Sequence, residues 1–466
     1  MLSRRTLLAA SAILPVIHTG RAWAELPKDD TTAKGFERST VIAWGDRVEP
    51  DSPPFTPAAL TADAAARQFG WDGIVLGVKA QPPGEDGVAR AIMVVAHPAP
   101  LARMLPLEAQ NSAVMRGLSG ASVLNLENHD QRWLITDGGF QTRRLTADTI
   151  CRITGPGQKT LGDAGRGPVA PSSGCLTPWG TALVGETPGD ARSGYVVEFD
   201  PNDPDALASK RTGLGRFVRA GIAAGQTSDG RAVILMSEDA AAGRLLRFIS
   251  RAPVTTDNPA ALDDGILSVA VLRGTSLDFV TVHGEQDITS ASTFDAPAGI
   301  ALLPNGGILL ACRGVVGVAS GDPALGEGNP DGRILLLRPE GGQIEASRYS
   351  VELALSGGDT GMGGASVLRP SSLLVGLNGD VWIGGEGSGI ALAQDRFTKI
   401  AQVYRQPLGA LIGGLALGPQ GTPLFASVRH PGATNDASFG HPATRWPTLR
   451  PDMPPQTVVV ALHRTR

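Results

Sequence analysis

The sequence predicts an all-β protein, a β-propeller with long loop insertions and a short helical excursion near its N-terminus. Two observations support this prediction. Glycine and proline supply 60 and 35 of the 466 residues, and because these are the two poorest helix formers, a helix bundle is excluded. In addition, a turn containing glycine, followed by an apolar stretch of strand length, recurs along the chain.

The recurring turn reads as a β-hairpin, because Asn-Gly and Asp-Gly pairs supply its positive φ angles and the apolar residues after them favour a strand. The turn glycines are Gly180, Gly230, Gly306, Gly332, Gly379 and Gly421. The intervals from Gly180 to Gly230 and from Gly332 through Gly379 to Gly421 are each roughly 40 to 50 positions long, which suits a propeller blade of four strands. The longer interval before Gly306 predicts an inserted excursion, and the shorter interval after it predicts neighbouring strands of one blade. A β-sandwich with similar turns is the alternative fold.

Composition and charge exclude several classes of protein. Hydrophobic residues make up 42% of the chain and charged residues 18%, so the chain is neither disordered nor fibrous. The formal net charge of -4 argues against a nucleic-acid partner, which requires a basic surface. Three cysteines are too few for a disulfide framework and lack the spacing of a metal site.

The N-terminal segment, residues 1–24, has the features of an export signal. Arg4 and Arg5 precede an apolar run over residues 7–17, and Ala22-Trp23-Ala24 offers a small-residue cleavage site. We therefore predict a twin-arginine signal peptide over residues 1–24 and a single propeller domain over residues 25–466. The protein is expected in the periplasm or outside the cell after passage through the twin-arginine export machinery. No apolar stretch of the mature chain reaches membrane length, and an ordinary signal peptide is the alternative.

Two kinds of segment depart from the strand pattern. Residues 57–69, which are rich in alanine, form the clearest helical stretch. Residues 314–329 and 430–455 read as long loops rich in Gly, Pro and Asp. Loops of this length are usually functional or mobile, and on a propeller they lie on the faces, where substrate sites form.

An ordered set of short phrases gives the chain a family resemblance. The phrases include Trp44-Gly45-Asp46, Arg143-Arg144-Leu145-Thr146, Thr177-Pro178-Trp179-Gly180-Thr181, Gly194-Tyr195-Val196-Val197-Glu198-Phe199-Asp200-Pro201, Phe294-Asp295-Ala296-Pro297 and Trp446-Pro447. With these phrases the chain resembles the PhoX-type secreted alkaline phosphatases along nearly its whole mature length. The resemblance implies a six-bladed propeller in the periplasm that hydrolyses phosphate monoesters with iron and calcium ions.

The chain departs from this family at most of the positions that the resemblance assigns to metal ligands. These positions read Ala96-His97-Pro98, Pro171-Ser172, Gly185-Glu186, Arg219-Ala220, Pro297-Ala298-Gly299, Pro370-Ser371-Ser372 and Leu411. Calcium needs about six to eight oxygen ligands and iron needs carboxylate, thiolate or imidazole. Alanine, proline and leucine side chains offer none of these. We therefore expect an iron and calcium site that is impaired or lost.

Four residues remain as candidates for a site. The resemblance makes Glu186 and Glu386 candidate metal ligands, although each could instead be a hydrogen-bonded carboxylate at a strand end or turn. Arg144 and Arg219 are candidate anion-binding residues, because a guanidinium binds phosphate through its planar fork. The alternative role of Arg144 is an ion pair with Asp148. No catalytic residue is identified.

The sequence therefore supports three hypotheses about function. The first is an exported PhoX-like propeller, related to metal-dependent phosphate monoester hydrolases, with an impaired or lost metal site. The second is a non-catalytic periplasmic binding or scaffold propeller whose old site takes a small anionic or phosphorylated ligand. The third is a hydrolase with fewer metal ions. Any remaining activity is expected to be that of an alkaline phosphatase-like phosphoric monoester hydrolase.

Overall fold

The structure, a computed structural model, describes residues 27–130, 132–136, 138–255, 260–283, 288–315, 328–359 and 364–465. Its strands are, in chain order, β1 (Thr31–Thr32), β2 (Phe36–Ala43), β3 (Ile74–Gln81), β4 (Arg90–His97), β5 (Gly120–His129), β6 (Arg132–Ile135), β7 (Arg143–Thr146), β8 (Ile150–Thr154), β9 (Ala164–Arg166), β10 (Ser173–Leu176), β11 (Ala182–Gly185), β12 (Val196–Phe199), β13 (Ser209–Arg211), β14 (Arg219–Gln226), β15 (Arg231–Glu238), β16 (Ala242–Gly243), β17 (Leu245–Pro253), β18 (Gly265–Arg273), β19 (Ser276–Thr281), β20 (Phe294–Asp295), β21 (Pro297–Leu302), β22 (Ile308–Cys312), β23 (Arg333–Pro339), β24 (Arg348–Ser356), β25 (Pro370–Val375), β26 (Val381–Gly385), β27 (Gly389–Gln394), β28 (Lys399–Arg405), β29 (Leu411–Leu417), β30 (Leu424–Arg429) and β31 (Val458–Arg464). The α-helices are α1 (Ala62–Arg67), α2 (Ser112–Leu118) and α3 (Gln158–Leu161).

Within the described residues, these strands build six antiparallel sheets of four strands, which we call blades A to F. The blades are A (β3–β6), B (β10–β13), C (β14, β15, β17 and β18), D (β21–β24), E (β25–β28) and F (β29, β30, β31 and β2). Additional strands extend their edges: β7 pairs with β5, β8 and β9 extend blade B, β1 extends blade E, and β19 joins blades C and D. Strands β16 and β20 form a short separate pair.

The blades are arranged around a ring. The innermost strands β3, β10, β14, β21, β25 and β29 each contact the next, and the last contacts the first. Six apolar clusters fill the spaces between successive blades. Because each blade is packed on both faces, its second strand reads as an unbroken buried run, such as residues 232–237 in β15, rather than as an alternation. The all-β propeller prediction is confirmed, and the ring is the arrangement expected for six blades.

The ring is closed by a strand from near the N-terminus. Strand β2 pairs with β31 in antiparallel register, from Phe36 opposite Arg464 to Ala43 opposite Val458. Blade F is therefore built from both ends of the described chain. Ile42 of β2 is 2% exposed and packs between blades F and A, so this strand contributes to the core as well as to the hydrogen bonds.

The turn glycines explain most of the sequence repeat. Five of them, all with positive φ, lie between the innermost and second strands of blades B to F: Gly180, Gly230, Gly306, Gly379 and Gly421. Gly332 instead precedes β23, whereas Gly306 precedes β22. The prediction that the short interval between them joins neighbouring strands of one blade is therefore confirmed. The prediction that Gly332 and Gly379 mark one blade repeat is wrong. The turn of blade D that is equivalent to Gly379 is Gly306, and a long connection before β23 lengthens that interval.

Helices are few, as the glycine and proline content indicates. The predicted helical stretch over residues 57–69 contains a 3-10 turn, Pro57–Ala59, and then α1, whose first turn is capped by the side chain of Thr61. The helix α2 packs beside α1 and was not predicted. All three cysteines are free. Among the described residues, no helix is long and apolar enough to cross a membrane.

The two predicted long loops have different outcomes. Residues 430–455 connect β30 to β31 through turns and irregular backbone, so this loop is confirmed. Most of the predicted loop over residues 314–329 lies outside the described residues.

Ring closure by β2 predicts the effect of a cavity in that strand. Ile42→Ala should lower the free energy of unfolding by about 2–5 kcal/mol, because the buried side chain leaves a cavity between two blades. Thr40→Ala, at an exposed position of the same strand, is the matched control and should change it by less than about 0.5 kcal/mol. Urea denaturation measures both. Equal small effects would mean that β2 does not close the ring.

Candidate functional site

The blades present equivalent positions at one end of the ring, which we call the mouth. Here the innermost strands begin and the second strands end. In each blade, one residue at or just after the end of the second strand lies opposite the residue that precedes the innermost strand. We call these six the rim residues; in blades A to F they are His97, Glu186, Asp239, Arg313, Glu386 and His430. All six side chains are ionisable. The mouth therefore gathers ionisable groups from distant parts of the sequence, and the positions at which the chain departs from the family lie here too.

In blade B, Glu186 forms an ion pair with a lysine. Its two carboxylate oxygens lie 2.7 and 2.9 Å from Lys210 Nζ, and both side chains are fully buried. The lysine donates its third hydrogen bond to the carbonyl of Arg192 at 2.8 Å, so every N–H of the ammonium group is used. Backbone amides of Val169 and Gly194 also donate to Glu186, at 2.9 and 3.2 Å. Lys210 supplies the positive charge that this buried carboxylate requires.

The strand and loop around Glu186 and Lys210 accommodate this buried ion pair. Lys210 lies in β13, the outermost strand of blade B, opposite Val197 of β12. A Cβ atom at Gly167 would overlap Glu186 Oε1, so only glycine fits there. Burial raises the pKa of the Glu186 carboxyl, and the charge of Lys210 offsets part of this effect. Sequence analysis did not identify Lys210, since a single lysine in a short strand gives no signal of burial.

In blade E, Glu386 forms ion pairs with two arginines. Its side chain accepts a hydrogen bond from Arg369 Nε at 2.9 Å, and its other oxygen lies 3.7 Å from Arg313 Nη1. Arg313 also binds Asp239 of blade C, with Nη2 2.5 Å from Oδ1. Arg369 has a φ of 50° directly before β25, and its carbonyl accepts the backbone N–H of Glu386. Glu386 is thus a member of an ion-pair network and not an isolated turn carboxylate.

A second ion pair joins blades A and F. Arg429, at the end of β30, binds both oxygens of Asp72 through Nε and Nη2 at 2.9 and 2.6 Å. Burial lowers the pKa of Arg429, but the charges of Asp72, Glu386 and Asp239 raise it above its usual value. His430 stacks on Trp71 at 5.8 Å between ring centroids. Burial lowers the pKa of His430 to about 4, although nearby Asp72 acts in the opposite direction.

Arg144 lies in a buried polar cluster in blade A. Its Nη2 donates to the carbonyl of Gly117 at 2.8 Å and Nη1 to Ser122 Oγ at 3.3 Å. Ser122 in turn contacts Nε2 of His97 at 2.7 Å. Burial lowers the pKa of Arg144 to about 9, with a smaller opposing effect of Glu49. The suggested ion pair with Asp148 is wrong, because that carboxylate binds two other arginines, Arg116 and Arg166.

Arg219 is not available to bind an anion. Its side chain is fully buried, and its five N–H groups are all used. Four donate to backbone carbonyls, namely those of Gly194, Phe217, Leu214 and Gly215, and Nε contacts the sulfur of Met236. Burial lowers its pKa to about 9. The anion-binding hypothesis for Arg219 therefore has no donor left to support it.

Other residues at the positions where the chain departs from the family also form hydrogen bonds with the backbone. Ser172 Oγ donates to the carbonyl of Arg219 at 2.7 Å, and the carbonyl of Ala298 accepts from Ser237 Oγ at 2.6 Å. Ser372 Oγ accepts the N–H of Gly414 at 3.3 Å. Across the described residues, no three His, Cys, Asp or Glu side chains come together as a metal site would need. The side chains present at the mouth therefore do not fit the ligand sets that the iron and calcium ions implied by the resemblance would need.

The buried pair predicts a large and asymmetric stability effect. Lys210→Met should lower the free energy of unfolding by about 3–5 kcal/mol, because it leaves the Glu186 charge buried without a partner. The double variant Lys210→Met, Glu186→Gln should recover part of this loss. Lys399→Met, which breaks an exposed ion pair with Asp395, is the matched control and should cost less than about 1 kcal/mol. A loss at Lys210 no larger than the control would contradict the pairing.

His430 predicts a pH dependence of stability. Its pKa of about 4 lies below the usual 6.5, so below pH 6.5 the unfolded chain binds a proton that the folded chain does not. Stability should therefore fall from pH 6.5 to about 4, by at most about 3 kcal/mol from this residue. His430→Asn, which tolerates the positive φ of 30°, should lose less over that range. Exposed His129→Asn is the control, and parallel pH profiles for all three proteins would refute the assignment.

Comparisons with known proteins agree with this fold and resemblance. Residues 22–297, more than half of the chain, match the family model of alkaline phosphatase PhoX. The structure of Pseudomonas fluorescens PhoX in complex with vanadate, a transition state analogue, matches with a TM-score of 0.83 at 21% identity, over 94% of this chain and 96% of that chain. The gluconolactonase XC5397 of Xanthomonas campestris has a TM-score of 0.38 at 11% identity, over 91% and 100%. No curated protein matches the sequence. The chain belongs to the alkaline phosphatase PhoX family.

Proposed function

We propose that this chain is an exported PhoX-family propeller whose iron and calcium site is lost or strongly impaired. One observation carries the proposal: Glu186 and Glu386, the acids retained where the resemblance places metal ligands, each bind a basic side chain at 2.7–2.9 Å. A metal ion at Glu186 would have to displace the buried ammonium of Lys210. The lysine charge would then be left inside the protein without a partner, which is strongly unfavourable.

The other positions support the same proposal. Family metal ions would neutralise phosphoryl oxygens and activate a nucleophile, and calcium would need about six to eight oxygen ligands for this. Ala298 and Leu411 provide no side-chain ligand, and Ser172 and Ser372 use their hydroxyl groups on the backbone. The residues of this chain therefore favour a propeller that hydrolyses phosphate monoesters slowly or not at all.

A non-catalytic binding or scaffold role outside the cytoplasm is the second candidate. It is favoured by the arginines of the mouth, which keep about a fifth of their side chains exposed while they pair with acids. A small anionic or phosphorylated molecule suits such donors. The proposed export by the twin-arginine machinery is supported by the sequence of residues 1–24, which lie outside the described residues.

Elemental analysis and a phosphatase assay test the proposal together. Protein purified after export should contain less than one equivalent of iron plus calcium. With both metals added, it should release phosphate from an aryl phosphate at alkaline pH far more slowly than an intact family member, with little effect of a chelator. The double variant Glu186→Gln, Lys210→Met, which leaves no buried charge without a partner, should leave the residual rate unchanged, since no metal cluster depends on this carboxylate.

The controls separate a lost site from a damaged protein. Glu352→Gln, which removes an exposed carboxylate paired with Arg338, should behave like the parent chain in both measurements. Circular dichroism should show that each variant keeps the strand content of the parent. Two or more metal equivalents, with turnover that both the chelator and the double variant Glu186→Gln, Lys210→Met abolish, would overturn the proposal and restore an ordinary metallophosphatase.

A further inference from the structure

We infer that the mouth holds a metal-free binding site for a small tetrahedral oxyanion, formed by Arg313, Arg369 and Arg429. The three arginines come from blades D, E and F, at the ends of strands that meet at the mouth. This inference rests on the proposed loss of the metal site and goes beyond it, because it names the ligand chemistry and the residues that bind it. None of the three was a candidate from the sequence.

The three guanidinium groups have more donors than their partners use. Each arginine has five N–H groups, and the described residues accept one hydrogen bond from Arg313, three from Arg369 and two from Arg429. Arg313 Nε is buried and has no hydrogen-bond partner among the described residues. A buried donor without an acceptor is costly, so the described partners do not fully satisfy the Arg313 guanidinium group.

The arginines share the same acidic neighbours, which places them around one region. Glu386 accepts from Arg369 and lies 3.7 Å from Arg313. The charges of Glu386 and Asp239 also act on Arg429 and on Arg313. Side-chain exposures of 18%, 19% and 21% show that each of the three arginine side chains is partly open to solvent. The charges of the three arginines and of Asp72, Asp239 and Glu386 balance, so the region is neutral without a ligand.

The origin of the three arginines in separate blades favours a tetrahedral oxyanion over a planar carboxylate. A single guanidinium fork satisfies a carboxylate, whereas the oxygens of a phosphate or sulfate point in different directions and suit donors from three separate blades. The acids compete with the ligand for these donors. Removing an acid should therefore strengthen binding, which is the opposite of what loss of a structural ion pair would do.

Isothermal titration calorimetry in a buffer that contains a chelator tests the site. Inorganic phosphate should bind the full mature chain, more weakly at higher salt because the attraction is electrostatic. Arg313→Gln should raise the dissociation constant at least tenfold. Asp239→Asn, which frees Arg313 from its strongest partner, should lower the dissociation constant about threefold or more. A misfolded variant cannot produce this gain, so the second substitution guards against loss of structure.

Controls and parallel ligands define the site further. Arg338→Gln, which breaks an exposed ion pair on blade D, should bind phosphate like the parent. Phenylphosphonate, a non-hydrolysable mimic of a phosphate monoester, distinguishes two sources of the same chemistry. Tighter binding of phenylphosphonate than of inorganic phosphate supports a phosphorylated organic ligand, and equal binding supports the free anion; both outcomes support the site.

The remaining outcomes separate this inference from the proposed function. Absence of phosphate binding in a protein that also lacks metal would overturn the arginine site and leave the proposed function intact. Phosphate binding that requires metal and disappears with the chelator would overturn both. Binding that neither Arg313→Gln nor Asp239→Asn changes would also overturn the inference, because the anion would then lie elsewhere.

Discussion

A charge buried in a protein must be balanced by an opposite charge, and this constraint organises the mouth of the propeller. Desolvating a carboxylate costs several kcal/mol, which a nearby cation has to offset. The partner of such a carboxylate can be a metal ion or a basic side chain. In this chain Glu186 has Lys210, Glu386 has Arg369, and Asp72 has Arg429. The carboxylates are therefore already neutralised by side chains of the chain itself.

The propeller makes these ion pairs possible because its geometry brings equivalent strand ends together. Each second strand ends at the mouth, so one residue per blade reaches the same rim although the rim residues are spread along the sequence from His97 to His430. Packing on both faces of each blade fixes these ends. A basic residue of one blade can then pair with an acid of another, as Arg313 of blade D does with Asp239 of blade C.

The sequence predicted more of the fold than of the candidate site. The turn glycines predicted hairpins because a positive φ is a local property that glycine reveals, and the phrase around Glu186 located a strand end at the mouth. The partners of the acids could not be found this way, since Lys210 lies 24 residues from Glu186 on a strand with no distinctive pattern. Arg219 was misplaced for the same reason: its identity suggests an anion site, but neighbouring carbonyls take its donors. An ionisable residue at or just after the end of each second strand was a signal that could have identified the rim.

The central claim is that basic side chains have taken the place of metal ions at the mouth. Anomalous diffraction from crystals grown with calcium and iron salts tests it most directly. The account predicts no anomalous peak within bonding distance of Glu186 or Glu386, with clear density for the ammonium of Lys210 against Glu186 and for the guanidinium of Arg369 against Glu386. An anomalous peak coordinated by either glutamate, with the basic side chain displaced, would contradict the account.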